Sequence, residues 1–324
     1  MIFAGNLIEI YIMKIGIVGD GLTGLLLAWE LRKASCEVTL IGDGSLRIAS
    51  VESAGILTPL ANKKNDILAD YEPLLDTALD IYQDISAFFG QELIRPVPII
   101  KQGAYPGTSP YFEEQSGAAV TPFWKLTGPF MNILRAWQVN TGMIRLLRRH
   151  FEAAGLYSRR TVIWEQQQVR RLLADYDYIF CCEGAAVRKN PLFAHMPFTR
   201  NKGDVMQVRI PGLPGDAVYD LAYKLVPVGA DGLFWLGSSN IWRYEEVLPA
   251  AAFRKDVEEY LSRTLKLPYE ILRHTSVERP TIAGQQAVAV SHPEHASIRI
   301  INGLGARGYL KAPALVREAL AAIL

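Results

Sequence analysis

Short apolar runs alternate with amphipathic stretches of helical period along most of this chain. Ile15-Gly16-Ile17-Val18 leads into Gly19-Asp20-Gly21-Leu22-Thr23-Gly24, then an apolar stretch from Thr23 to Ala34 and a further run at 37–41. The opening therefore predicts strand 14–18, a glycine turn, helix 23–34 and strand 37–41, a β-α-β unit of the dinucleotide-binding type. Residues 66–89 predict a long helix, with Leu68, Leu75, Leu79 and Ile85 among polar positions. From Arg95 to Pro129 the density of Pro, Gly and aromatics favours short strands and turns. Met143, Leu147 and Phe151 recur at spacing four behind Asn140 and Thr141, an amphipathic helix that either residue can cap. Tyr178–Cys182 reads as a buried strand ending in Glu183-Gly184, and 204–210, 222–228 and 232–238 as three more strands. Helix 249–265, strand 271–279, strand 298–301 and helix 310–323 close the chain.

Apolar strand-helix units at both ends with β-rich material between them predict an α/β protein, α+β taken as a whole. A Rossmann-like nucleotide-binding domain is expected over 14–92, 130–200 and 275–324. It is interrupted by a β-rich substrate domain over 93–129 and 201–274. Residues 1–13 read as an N-terminal extension without function, with translation starting at Met13; residues 1–12 have neither the basic start nor the cleavage site of a secretory signal.

A second glycine pattern, Gly303-Leu304-Gly305-Ala306-Arg307-Gly308, follows Ile298-Arg299-Ile300-Ile301 and opens the last helix. A strand before and a helix after turn such a match into an anion site, because glycines admit a ligand close to the backbone and the helix start presents free N–H groups. Two such turns at opposite ends of one chain imply a cofactor held from both sides, a flavin arrangement more than a nicotinamide one. An acidic residue is needed about 20 positions beyond the first glycines to hold a ribose hydroxyl. Asp43, 19 past Gly24, fills that requirement.

Composition narrows the setting. Half of the 324 residues are hydrophobic and the formal net charge is +1, which gives no general attraction to nucleic acid or membrane. The stretch 145–171 is the exception, with Arg145, Arg148, Arg149, Arg159, Arg160, Arg170 and Arg171 against Glu152 and Glu165, and reads as a solvated basic surface. Cys36, Cys181 and Cys182 offer neither a disulfide framework nor metal-ligand spacing, so a reducing, cytoplasmic setting without a bound metal is expected.

Taken in order, these segments resemble the D-amino-acid oxidase family of FAD-dependent oxidoreductases. That group includes glycine and sarcosine oxidases and the oxidase half of the bifunctional tRNA-uridine-modifying enzyme. The resemblance is carried by Ile15–Gly42, Ser53-Ala54-Gly55-Ile56-Leu57-Thr58-Pro59, Glu183-Gly184, Lys202-Gly203-Asp204, Arg279-Pro280 and the run from Asn302 to Pro313. It spans residues 14 to 324 and implies a cofactor site of Gly19, Gly21, Leu22, Thr23, Gly24, Asp43, Ala54, Gly55, Gly184, Gly303, Gly305, Ala306, Arg307, Gly308, Tyr309 and Leu310. Some sarcosine oxidases attach flavin through a cysteine near the C-terminal segment. None stands there in this chain, so FAD is expected to be noncovalent.

Three positions depart from the family pattern. The second strand ends in Gly42 where the family has its ribose carboxylate, the Arg/Asp run after Arg-Pro is replaced by Thr281-Ile282-Ala283-Gly284-Gln285-Gln286, and Ala306 takes a place often held by glycine or serine. The activity implied is hydride removal from an amine-bearing carbon to flavin N5, giving an imine that hydrolyses, with oxygen or a quinone as final acceptor. Arg279 and Arg307 are the candidates for a substrate carboxylate, since arginine takes one bidentately. Tyr105, Tyr111, Tyr223, Trp235, Trp242 and Tyr244 are available as pocket walls, and none of the five histidines is required as a base. Two other readings stand beside this one. The first is a tRNA-uridine side-chain oxidase, supported by the arginine stretch. The second is a flavin-binding protein with little turnover, motivated by the lost Arg/Asp run.

Overall fold

Strands buried on both faces must be apolar throughout, and those are the strands the pattern picks out. Met13–Val18 lies inside a six-stranded sheet ordered Val288–Ser291, Ile298–Asn302, Tyr178–Cys181, Met13–Val18, Cys36–Gly42, Tyr157–Arg159. Every pairing is parallel except that of Val288–Ser291 with Ile298–Asn302. The computed structural model describes residues 11–34, 36–104, 106–107 and 109–324; most of the N-terminal extension and Tyr105 lie outside them.

The helix Leu22–Leu31 is buried on every side, with Leu25, Leu26, Leu27, Trp29 and Leu31 fully covered. It lies between the sheet and the last helix, Gly308–Ala321, which explains its lack of a polar stripe. Tyr71–Phe89 packs on that last helix too, and Tyr82 Oη donates to Tyr309 O at 2.8 Å. Helix Met143–Ala153 buries the spaced Met143, Leu147 and Phe151.

The second large sheet has eight strands, in the order Glu270–Glu278, Lys202–Arg209, Leu233–Gly237, Lys224–Pro227, Val218–Asp220, Ile99–Gln102, Phe130–Ile133, Phe112–Gln115. Its Met206, Val208, Phe234 and Leu236 face helix Ala251–Thr264 and pack on Phe253, Val257 and Leu261. The alternate positions, Val205, Gln207 and Trp235, point the other way, toward Val51–Ser53 and Asn140–Arg145 of the first unit.

Several short elements carry no clear signal in the sequence pattern, and for three of them the physical reason is plain. Tyr157–Arg159 is three residues long, Val288–Ser291 is an edge strand half open to solvent, and helix Gln166–Asp175 buries only Leu172. None of them carries a sustained apolar period. The long helix begins at Tyr71 instead of 66, because Ile67 is held in a bridge to Leu60. Among the described residues no helix is long and apolar enough to cross a membrane.

Candidate functional site

Both glycine turns open at the same end of the parallel sheet, where strand carboxyl ends meet helix starts. Gly308 Cα faces the start of the first helix closely enough that a Cβ there would stand 3.9 Å from Leu22 Cδ2. Neither N-cap residue, Gly21 or Arg307, caps its helix with its own side chain, so both helix starts present backbone N–H groups at this end of the sheet.

Within the first turn the three glycines do different work. Gly19 has φ 116°, and a Cβ on it would overlap the carbonyl of Cys182. A Cβ on Gly24 would overlap Gly19 O, so this glycine sets the close approach of helix to strand. Gly21 is in ordinary extended backbone, φ −80° and ψ −170°, and a Cβ there would meet nothing nearer than Ser50 Oγ at 3.4 Å. Protein packing demands glycine at 19 and 24 but leaves space beside 21, as a backbone that must admit a diphosphate would. Ser50 Oγ accepts from Leu22 N at 3.1 Å, and Tyr309 Oη donates to Ser50 O at 2.7 Å, joining both helix starts to the segment after the second strand.

The other segments arrive at the same end. Gly55, φ 68°, lies against Val139, whose N–H donates to Gly55 O at 2.8 Å. Ala54 is buried beside it. Asn302 Nδ2 donates to Gly184 O at 3.0 Å and ties the end of strand Tyr178–Cys181 to the second glycine turn. Gly305 N donates to Pro280 O at 2.8 Å, which brings Arg279-Pro280 under that turn. Ala306 is in the single turn Gly305–Arg307, and Tyr309 and Leu310 are buried at the start of the last helix.

Asp43 lies elsewhere than the spacing rule expects. It is exposed and accepts from Ser45 N at 2.8 Å in its own turn. The buried carboxylate at the end of the second strand is Asp20, from the first glycine turn. Its Oδ2 receives Gly44 N at 3.1 Å, Tyr157 Oη at 2.7 Å and the Arg148 guanidinium at 3.1 Å. Burial, reinforced by that carboxylate, pushes the Tyr157 phenol up to about 12. Arg148 is thus the one member of the arginine stretch that is buried; the other six are exposed. Asp20 and Ser50 escaped sequence reasoning, although a carboxylate between two glycines and a glycine at the end of the strand were both visible.

The two arginines differ. Arg279 Nη1 donates to Asn201 Oδ1 at 2.6 Å and approaches Asn240 Oδ1 at 3.5 Å; Nη2 donates to Ser238 Oγ and Ser239 O, both at 2.8 Å. Burial draws this guanidinium below its ordinary value while Asp204 opposes the shift. Arg307 makes one such bond, to Ala61 O, with its shift lowered by burial and opposed by Asp70. A carboxylate approaching Arg279 must displace existing partners; Arg307 keeps most of its donors.

Of the aromatics, Trp235 donates to Glu52 O at 2.8 Å and lines a cavity of about 210 Å³ between the two units, with Glu52, Ser53, Asn140, Gln207 and Arg273. Glu52 is buried and paired with Arg273 at 2.5 Å. Tyr223 packs on Phe253 and Tyr260, Tyr111 bonds Glu72, Tyr244 bonds Glu278, and Trp242 is exposed. A larger cavity, about 390 Å³, lies beside Leu75 and Leu79 with Pro96–Pro98 and Ile133–Trp137; it is mainly apolar and touches neither glycine turn. The smaller one borders the Ser53–Gly55 loop and belongs with the site. The cysteines are free, and burial raises the thiol pKa of Cys181 and Cys182 so that both stay protonated.

No family model matches the chain. Solved structures share its fold over nearly full length. Glycine oxidase from Geobacillus kaustophilus superposes with a TM-score of 0.77 at 14% identity, covering 95% of this chain and 94% of that one. Iminodiacetate oxidase from Chelativorans sp. BNC1 gives 0.70 at 16% identity, with 94% of each chain covered. L-proline dehydrogenase from P. horikoshii gives 0.72 at 13% identity, covering 96% and 93%.

Proposed function

We propose that this protein is an FAD-dependent oxidoreductase that oxidises the C–N bond of a small amine or amino acid. The observation that carries the reading is the approach of two helix starts, from opposite ends of the chain, beside Gly21, where the backbone is extended and has room for a Cβ that the residue does not carry. The shared fold supports it, because the proteins named above are oxidases and a dehydrogenase of amines and amino acids. The donor set fits FAD: backbone N–H groups for a diphosphate, a buried carboxylate near the second strand, and a small-residue loop, Ser53–Gly55, for a flat ring. In this reading the parallel-sheet unit holds the cofactor. The eight-stranded sheet, including Phe130–Ile133, carries the substrate side.

FAD, held by Gly19–Gly24, Ser50 and the Gly303–Gly308 turn, would supply a two-electron acceptor for the amine-bearing carbon, with oxygen or a quinone as the final acceptor. The chain's own part is to orient and to stabilise charge. Gly19–Gly24 and Ser50 hold the diphosphate end. The Gly303–Gly308 turn directs N–H groups and a positive helix start at the edge of the ring where negative charge gathers on reduction. Arg307 receives a substrate carboxylate; Arg279, which holds the 238–240 turn, is the second candidate. Closing the pocket to water around the substrate would favour the neutral amine needed for hydride loss without a dedicated base. No cysteine stands near the last segment, so FAD is held noncovalently.

The test is the visible spectrum of the purified protein, followed by anaerobic addition of amino acids and secondary amines. Flavin bands that bleach with one of them establish the activity and its substrate class. Bands that never bleach shift the reading to a flavin-binding protein with little turnover. A colourless chain that cannot be loaded with FAD overturns it.

A further inference from the structure

In the β-α-β dinucleotide fold a carboxylate at the end of the second strand takes the ribose hydroxyl. Here that strand ends in Gly42, and the next residue, Asp43, is turned to its own loop. The volume a side chain at 42 would need is already filled. A Cβ on Gly42 would overlap Asp20 Cγ and lie 2.7 Å from its Oδ1. Asp20 is 6% exposed, and its three partners, Gly44 N, Tyr157 Oη and Arg148 Nε, all converge on Oδ2.

Arg148 fixes this arrangement from the helix Met143–Ala153. It is 7% exposed, donates to Asp20 O at 2.9 Å and Ser45 O at 2.8 Å, and keeps a buried Nη2 that has no hydrogen-bond partner among the described residues. A carboxylate therefore occupies the ribose position, delivered from the turn that holds the diphosphate instead of from the strand.

We propose that Asp20 receives the ribose of the cofactor's adenosine half, Oδ1 accepting from the hydroxyl while Oδ2 stays tied to the protein. Arg148 and Tyr157 act as positioning residues. The inference rests on the FAD reading above and deepens it. It makes Gly42 and Asp20 a matched pair, since a larger residue at 42 requires a smaller one at 20.

The test is calorimetric titration of the full chain, stripped of nucleotide, with ADP and with 2′-deoxy-ADP. Wild type is expected to bind ADP roughly tenfold or more tighter, the scale of one charge-assisted hydrogen bond. Asp20→Ala leaves Arg148 buried without its anion and can unfold, so the working variant is Asp20→Ala/Arg148→Met, with circular dichroism as the fold control. It should bind both nucleotides equally. Asp20→Gly/Gly42→Glu, which returns the acid to the strand, should recover the preference.

A wild type that does not discriminate, or an Asp20→Ala/Arg148→Met variant that still does, overturns the assignment. If the chain holds FAD yet ignores the 2′-hydroxyl, Asp20 is wrong and the flavin reading survives. If it discriminates between the nucleotides but never takes up flavin, the flavin reading fails and Asp20's role stands. A chain that binds neither loses both.

Discussion

Gly21→Ala and Gly24→Ala separate the needs of the cofactor from those of the fold. At 21 the backbone is extended, so alanine adopts it freely, and the added methyl stays 3.4 Å from Ser50 Oγ. Alanine is a poorer helix N-cap than glycine by about 0.5–1 kcal/mol, and the stiffer unfolded chain returns about 0.4–1 kcal/mol. The two offset, and the flavin-free melting temperature should move by no more than about 3 °C. At 24 the methyl overlaps Gly19 O and also meets Ile17 Cγ2 at 3.3 Å, so helix and strand must part. That overpacking costs about 3 kcal/mol, or roughly 6–12 °C. Flavin affinity behaves in the opposite sense for the stable variant. The methyl at 21 keeps the diphosphate off the backbone N–H groups, and losing one such bond weakens FAD roughly tenfold to hundredfold. Melting without flavin and fluorescence titration with FAD read the two effects separately. Gly21→Ala with wild-type affinity would refute the placement of the diphosphate.

Other outcomes follow from named contacts. Arg279→Ala should lower the melting temperature as well as activity, because Asn201, Ser238 and Asn240 lose a shared partner; Arg307→Ala should leave the melt unchanged and raise KM for carboxylate-bearing amines alone. Arg273→Met strands the buried Glu52 and should cost about 1–2 kcal/mol by chemical denaturation, less than a fully buried pair because Arg273 is half exposed. His292 is buried against Phe193 and the rings of His195 and His295, and burial first, then those neighbours, hold its pKa below the ordinary 6.5. The unfolded chain takes up this proton first, so stability is complete above pH 6.5 and declines as pH falls below it. Melting curves from pH 7.5 to 5.5 should show that decline, and His292→Asn should reduce it, leaving the share of His150 and His274, whose values burial also lowers.

What the sequence disclosed and what it concealed divide along a physical line. Strands 13–18, 36–42, 178–181 and 298–302 each carry a short, mostly apolar run and are legible for that reason, as is the Met143–Leu147–Phe151 stripe. The glycine turns were legible because their backbone requirements are local. Asp43 follows from counting along the chain, whereas the carboxylate buried beside the end of that strand, Asp20, comes from a turn that only the fold brings there. The sequence offers no sign of Arg279's partners, Asn201 and the 238–240 turn, because they lie far from it along the chain. Trp235 was one aromatic among six, and only the alternation of its strand decides that it faces the first unit.

The cradle formed by Gly19–Gly24 and Gly303–Gly308 also bears on how the protein comes into being. Its halves are separated by almost the whole chain, and the second is made late on the ribosome. A nascent chain can fold the first strand and helix early, yet in the proposed reading it would have only half a grip on flavin until the last strand docks beside Tyr178–Cys181. Yellow colour in this protein would then mark topological completion: a chain caught short of that final pairing stays colourless however much helix it contains.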